Sequence, residues 1–204
     1  QLTAKGGTWR NGAVTLFRDR RTPDELTPIV SQLFLGIRLE CAKCHQHPNE
    51  AWGQEHFFGF AAYFDRVGRK GTGISAPISG SEEFIFPGKR TPVKHPLTDA
   101  VMTPQPLFGE APVADDVEDP REILADWLTG DENHFFRQVI ANRVWRDMMG
   151  RGLVEPVDDL RDSNPPTNAE LLEALGVDLR DHDYDLKHLI RRIASSYVYS
   201  LSSL

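Results

Sequence analysis

Apolar residues recur at helical spacing at Leu26, Ile29, Val30, Leu33, Phe34 and Ile37. They stand behind a start signal made of Thr22 as N-cap, Pro23 in the first turn and Glu25 as the acid of a capping box. This pattern predicts a helix from Pro23 to about Lys43. Ahead of it, the weak alternation of TWRNGAVTLFRD predicts a short strand or hairpin turning at Asn11 and Gly12. A second, aromatic-rich helix is predicted over Gly53 to Val67, with Phe57, Phe60, Ala61 and Phe64 on one face. From Gly68 to Val113 the helical period disappears into a Gly- and Pro-rich excursion with two short strands, near Glu83 to Phe86 and near Val101.

The period returns after the excursion. Asp119, Pro120 and Glu122 open a helix to Thr129, and another runs from about Asn133 to Met149, stopped by Gly150. An extended connector, GRGLVEPVDDLRDSNPP, leads to a capping box of Thr167 and Glu170 before AELLEALGVDLRDH, and a last amphipathic helix spans about Leu186 to Tyr199. The fold class expected is mainly α. Residues 1–113 form a first domain with the long loop, and residues 114–204 form a helical second domain packed on it.

Composition narrows the class. With 204 residues, 40% hydrophobic and 26% charged, the chain can bury a core and is not disordered. No apolar run approaches the roughly 18 residues of a membrane span. A net charge of -7 argues against a surface that holds nucleic acid by its phosphates. Glu110 to Glu132 carries nine carboxylates against the single Arg121, which reads as a solvated face or as a docking site for a basic partner. The start QLTAKGG has neither an initiator Met nor the apolar core of a signal peptide, so a mature or excised piece is expected.

The chemistry concentrates in ECAKCHQHP, Glu40 to Pro48, which holds the only two cysteines of the chain. C-x-x-C-H is the attachment signature of c-type haem: Cys41 and Cys44 form thioethers to the porphyrin edge and His45 offers an imidazole to the iron. Two other chemistries compete. A zinc site would use Cys41, Cys44 and His45 or His47, yet no second Cys pair or H-x3-H is present to complete it. A redox dithiol belongs in a βαβ context that this pattern does not supply. For a second iron ligand the candidates are Met102 in DAVMTPQPL and His95 in VKHPLT, both in the long loop. Phe57, Phe60 and Phe64 would make the hydrophobic jacket, or an ordinary core. His47 is placed to hydrogen-bond rather than to reach the far face, and His56 and His134 read as surface or core residues.

FLGIRLECAKCHQHPNEAWGQEHFFGFAAYFDRV resembles the motif region of the first domain of the planctomycete cytochrome c family, and DPREILADWLTGDENHFFRQVIANRVWRDMMGRGLVEPVDDL is similar to the start of its second. These are the paired planctomycete domains of unknown function 1549 and 1553. The resemblance implies a protein exported across the cytoplasmic membrane, periplasmic or otherwise extracytoplasmic, often as a segment of a longer precursor. It implies no established activity.

The expectation is therefore a c-type cytochrome-like electron-transfer protein with one covalent haem c, meeting a redox partner protein. One alternative is a haem enzyme with an open iron site, peroxidase-like or substrate-oxidising. Another is a zinc-stabilised, non-redox interaction module of a surface assembly. Asn142, Arg143 and Trp145, with Asp158 and Asp159, read either as a catalytic or propionate-binding cluster or as an Arg to Asp pairing that pins the connector.

Overall fold

A computed structural model describes residues 1–71, 82–110 and 117–201. The protein is mainly α, with one small sheet, and it divides into two compact units. The first comprises residues 1–29 and 39–127; the second comprises residues 30–38 and 128–204.

In the first unit, Asn11 does not turn a hairpin. Its side-chain oxygen accepts the Ala13 N–H at 3.1 Å and caps a short 3-10 turn, Gly12–Val14, which runs into α1, Thr15–Asp19. An Asn ahead of small and β-branched residues is satisfied locally, and the N–H it captures is lost to any ladder. The sheet is three-stranded and antiparallel in the order β1 (Gly6–Gly7), β3 (Glu83–Pro87), β2 (Val67–Gly71), with Ile85 paired to Gly6 on one side and Arg69 on the other. Ile85 is buried while Phe84 and Phe86 are exposed, the alternation of a one-sided sheet. Beyond β3 an isolated bridge joins Lys94 to Val101, at the second strand position expected. The other parts of the Gly- and Pro-rich excursion at 72–81 and 111–116 lie outside the described residues.

α2 spans Pro23–Leu35 and starts as expected, Glu25 Oε2 accepting the N–H groups of Arg21 and Thr22 at 2.7 and 3.0 Å. It does not continue to Lys43. Gly36 takes φ +67°, a conformation that side-chain-bearing residues rarely adopt, and the chain leaves the helix there. After it comes α3, Gln54–Ala61, which the chain leaves through a 3-10 turn to enter β2, so the second helix is shorter than its aromatic pattern suggests. Phe57, Phe60, Tyr63 and Phe64 are buried, with Phe60 edge-on to Tyr63, Phe64 and Trp127.

α4, Pro120–Thr129, opens on Asp119. This carboxylate accepts the Arg121 N–H at 3.3 Å and holds the Arg121 guanidinium by two contacts of 2.8 Å. Both side chains are about 1–2% exposed, and the guanidinium lies 4.8 Å from the centroid of Phe17. Lys5 Nζ adds contacts to Asp119 at 3.3 Å and Glu122 at 3.0 Å. So the described part of the acidic stretch is not all free surface: Asp119 is structural. Asp115 and Asp116 lie outside the described residues.

The second unit is built on α5, His134–Met149, α6, Ala169–Asp181, and α7, Leu186–Ala194. Asn133 caps α5, and Gly150 ends it at φ +80°, the stop expected from the sequence. α6 is capped by Asn168, not Thr167: Asn168 accepts the Leu171 N–H at 3.0 Å, while Thr167 is drawn back to the Leu153 carbonyl at 3.1 Å. The core of this unit gathers Ala141, Leu153, Leu172, Leu179, Leu189 and Ile193.

Candidate functional site

Cys41 and Cys44 sit on a separate 3-10 turn, Glu40–Lys43, with Cys44 as its C-cap. Both thiols are free and exposed. The turn is held from two sides. Lys43 Nζ reaches Asp24 of α2 at 2.9 Å, and the Lys43 carbonyl accepts from Gln54 of α3 at 3.1 Å. Burial works against the charged form of Asp24, but its hydrogen bonds from Lys43 and Thr22 outweigh that and keep the carboxyl below the ordinary range. At neutral pH this tie is ionised on both ends.

His45 follows on the exposed side of the turn. Its Nδ1 lies 2.7 Å from the Gln46 carbonyl, which fixes the proton on Nδ1 and leaves the Nε2 lone pair free. His47 is buried and braces the loop that follows, donating its N–H to the Trp52 carbonyl at 2.7 Å and accepting the Asn49 N–H at Nδ1. Trp52 in turn stands edge-on to His56, ring centroids 5.5 Å apart.

Among the described residues, a cleft of about 390 Å³ is lined by His45, Gln46, Gly53, Gln54, Glu55, His56 and His95. It brings the motif histidine together with one of the two loop candidates. His95 is carried there by the Lys94–Val101 bridge and by backbone bonds to Ala100 and Asp99, and its ring is edge-on to Phe58 at 6.0 Å. Met102 is half-buried on the return of the same hairpin, its N–H bonded to the Val93 carbonyl at 2.8 Å, and it is not among the lining residues. His56 is the residue sequence reasoning missed. Nothing in the local pattern marks it, since its partners at the cleft come from far along the chain.

Phe57, Phe60 and Phe64 are interior core residues and do not line the cleft; its walls are polar. The donor set fits a c-type haem: two exposed thiols precede an exposed imidazole whose Nδ1 is engaged by a backbone carbonyl. Cys41, Cys44 and His45 do not draw three ligand atoms within 4.8 Å of one another, so no ready-made zinc triad exists at the motif among the described residues.

The NRVW string lies in the second unit, where Asn142 and Arg143 both bond backbone groups. Asn142 is fully buried and saturated: its amide donates to the carbonyls of Val154 and Val157, and its oxygen accepts from Leu153 and Val154. Among the described residues, Arg143 hydrogen-bonds carbonyls and makes no direct ion pair with a carboxylate. It donates to the carbonyls of Leu33 and Gln32, capping the end of α2, where the Gly36 and Ile37 N–H groups also bond back to Gln32 and Ser31. The connector's aspartates go elsewhere: Asp158 takes Gln32 at 2.8 Å and Arg38 at 3.0 Å, and Asp159 takes Arg161 at 3.0 Å.

Residues 4–69, which include the cysteine turn and His45, match the family model described as PSCyt2, protein of unknown function (DUF1549). Residues 120–204 match the model described as PSD1, protein of unknown function (DUF1553). His95 and Met102 fall outside both matched regions. No curated protein and no solved structure matches the chain. No helix among the described residues is long and apolar enough to cross a membrane.

Proposed function

We propose that this chain is a c-type cytochrome-like electron-transfer protein with one covalent haem c, held through Cys41 and Cys44 with His45 as the proximal iron ligand. The observation that carries the reading is the C-A-K-C-H run presented on a 3-10 turn, with both thiols exposed and the next imidazole poised to donate from Nε2. When bound, the haem supplies a one-electron couple. The chain's own part is to tether it, to orient His45 through the Gln46 carbonyl, and to hold the tether rigid through Lys43 and its two anchors. His95, on the same cleft, is the distal candidate favoured over Met102. A histidine distal ligand and polar walls both favour a lower potential than a buried His/Met site would have. Covalent attachment suits an extracytoplasmic protein, where loosely held haem would be lost, and the carboxylates of the acidic Glu110 to Glu132 stretch, the buried Asp119 excepted, are the docking feature for a basic redox partner.

The test is production in a host with cytochrome c maturation, then a haem-stained denaturing gel, intact mass and the reduced absorption spectrum. A mass raised by one haem and a stained band are expected, both lost in Cys41→Ser/Cys44→Ser. The bare polypeptide mass from such a host overturns the proposal.

A further inference from the structure

A second cluster, remote in sequence from the cysteine turn, has the makings of a metal centre. Asp178 and His182 stand four residues apart on the last turn and C-cap of α6, so their side chains share one face. Asp183 and Tyr184 then take φ +53° and +58°, two successive left-handed residues that reverse the chain within one turn. Asp185 caps α7 by accepting the Lys187 N–H at 2.8 Å, and this sets His188 in the first turn of α7 against His182. The two imidazoles stack at 3.6 Å between centroids and 12° between planes. His188 Nε2 is 2.9 Å from Asp178 Oδ2, and His182 Nδ1 is 3.7 Å from Asp178 Oδ1.

We propose that Asp178, His182 and His188 bind a divalent late transition metal of the zinc class. One ligand atom from each lies within 4.8 Å of the others. A tetrahedral ion with metal–ligand bonds of about 2.0–2.1 Å needs its ligands about 3.4 Å apart. Reaching it means opening the 2.9 Å His188 to Asp178 contact and closing the longer separations, changes within reach of rotamer shifts, since Asp178 and His188 are half-buried and His182 is exposed. Two imidazoles and one carboxylate select zinc, copper or nickel over magnesium and calcium, which prefer all-oxygen shells. Two resident contacts compete: the Asp178 carbonyl, 2.8 Å from His182 Nδ1, which leaves Nε2 as that ring's ligand atom, and Arg192, whose Nε lies 3.9 Å from Asp178 Oδ1 and whose side chain is 68% exposed, free to swing aside.

The experiment is calorimetric titration of the intact chain with zinc ion alone, in the Cys41→Ser/Cys44→Ser background so that thiol binding does not contribute. One saturable zinc per chain is expected, with no displacement by equimolar magnesium. His182→Ala and His188→Ala should each weaken binding roughly tenfold or more, as loss of a direct ligand exceeds the effect of losing an outer-shell partner. Far-UV circular dichroism verifies the fold, and His182→Ala, at an exposed position beyond the helix end, serves if His188→Ala unfolds. Zinc uptake that is absent in this background, or indifferent to His182→Ala, overturns the site and leaves the cluster as a plain ion pair. Neither result touches the haem reading, which rests on other residues.

Discussion

Arg121→Met tests whether a buried ion pair holds the first unit together. The substitution keeps the apolar stem beside Phe17 but removes two 2.8 Å charge-assisted contacts to Asp119, leaving a carboxylate about 2% exposed. Breaking a buried pair from one side costs about 3–5 kcal/mol. Lys5 remains at 3.3 Å and is itself 43% exposed, so it compensates in part and places the expected loss near the low end, about 3 kcal/mol. For a protein of this size that corresponds to a fall in melting temperature of roughly 6–12 °C.

The pH dependence sharpens this test. In the native protein burial alone would raise the Asp119 pKa, but the Arg121 hydrogen bonds and charge, with Lys5 behind them, bring it below the ordinary value. A depressed carboxyl contributes stability above its unfolded pKa and loses it as pH falls through the folded pKa. In Arg121→Met the sign reverses, because burial then dominates and protonation relieves the site. The gap between the two proteins, measured by urea unfolding from pH 7 down to about pH 4, should therefore narrow with acid, and Asp119→Asn added to Arg121→Met should recover part of the loss. A gap under about 1 kcal/mol, or one that does not change with pH, would refute the reasoning.

Asn142→Ala strips partners from two buried N–H groups and two carbonyls, and at about 1–3 kcal/mol for each group left unsatisfied a loss of at least about 3 kcal/mol is expected in chemical unfolding. Gly36→Ala places a Cβ 2.5 Å from Leu160 Cδ1 and 3.1 Å from Val139 Cγ2 at a left-handed φ, so thermal unfolding should show a loss of roughly 1–3 kcal/mol.

Helix starts were legible where a capping box marks them, a local device, and the starts at Pro23 and Pro120 carried theirs in the residues themselves. Helix ends were less so. The Gly36 stop was written in the sequence as a glycine, but Leu33, Phe34 and Ile37 continue the apolar period across it, and the period alone cannot tell a helix from a turn that returns to the same core. Thr167 lost its cap role to Asn168 for a similar reason: the Leu153 carbonyl that claims it comes from a connector with no period at all. The aromatic face of α3 read equally as jacket or core, and only tertiary packing decided for core. Of the site, the cysteine run was visible at once. The meeting of His45, His56 and His95 was not, since it depends on a hairpin folding back over α3.

The three cleft histidines spend their Nδ1 atoms differently, and that difference bears on what the site can hold. His45 Nδ1 faces a carbonyl and carries the proton, so its Nε2 is a ready donor to a metal. His56 and His95 Nδ1 accept backbone N–H groups, from Gly53 at 3.2 Å and Leu97 at 3.3 Å, which puts their protons on Nε2. Either ring must give up a backbone bond and shift its proton before Nε2 can ligate. In the haem reading, His45 would hold the iron through Nε2 and His95 would join it only by giving up its Leu97 bond, so imidazole or cyanide should shift the haem spectrum at concentrations that leave a tightly closed site untouched.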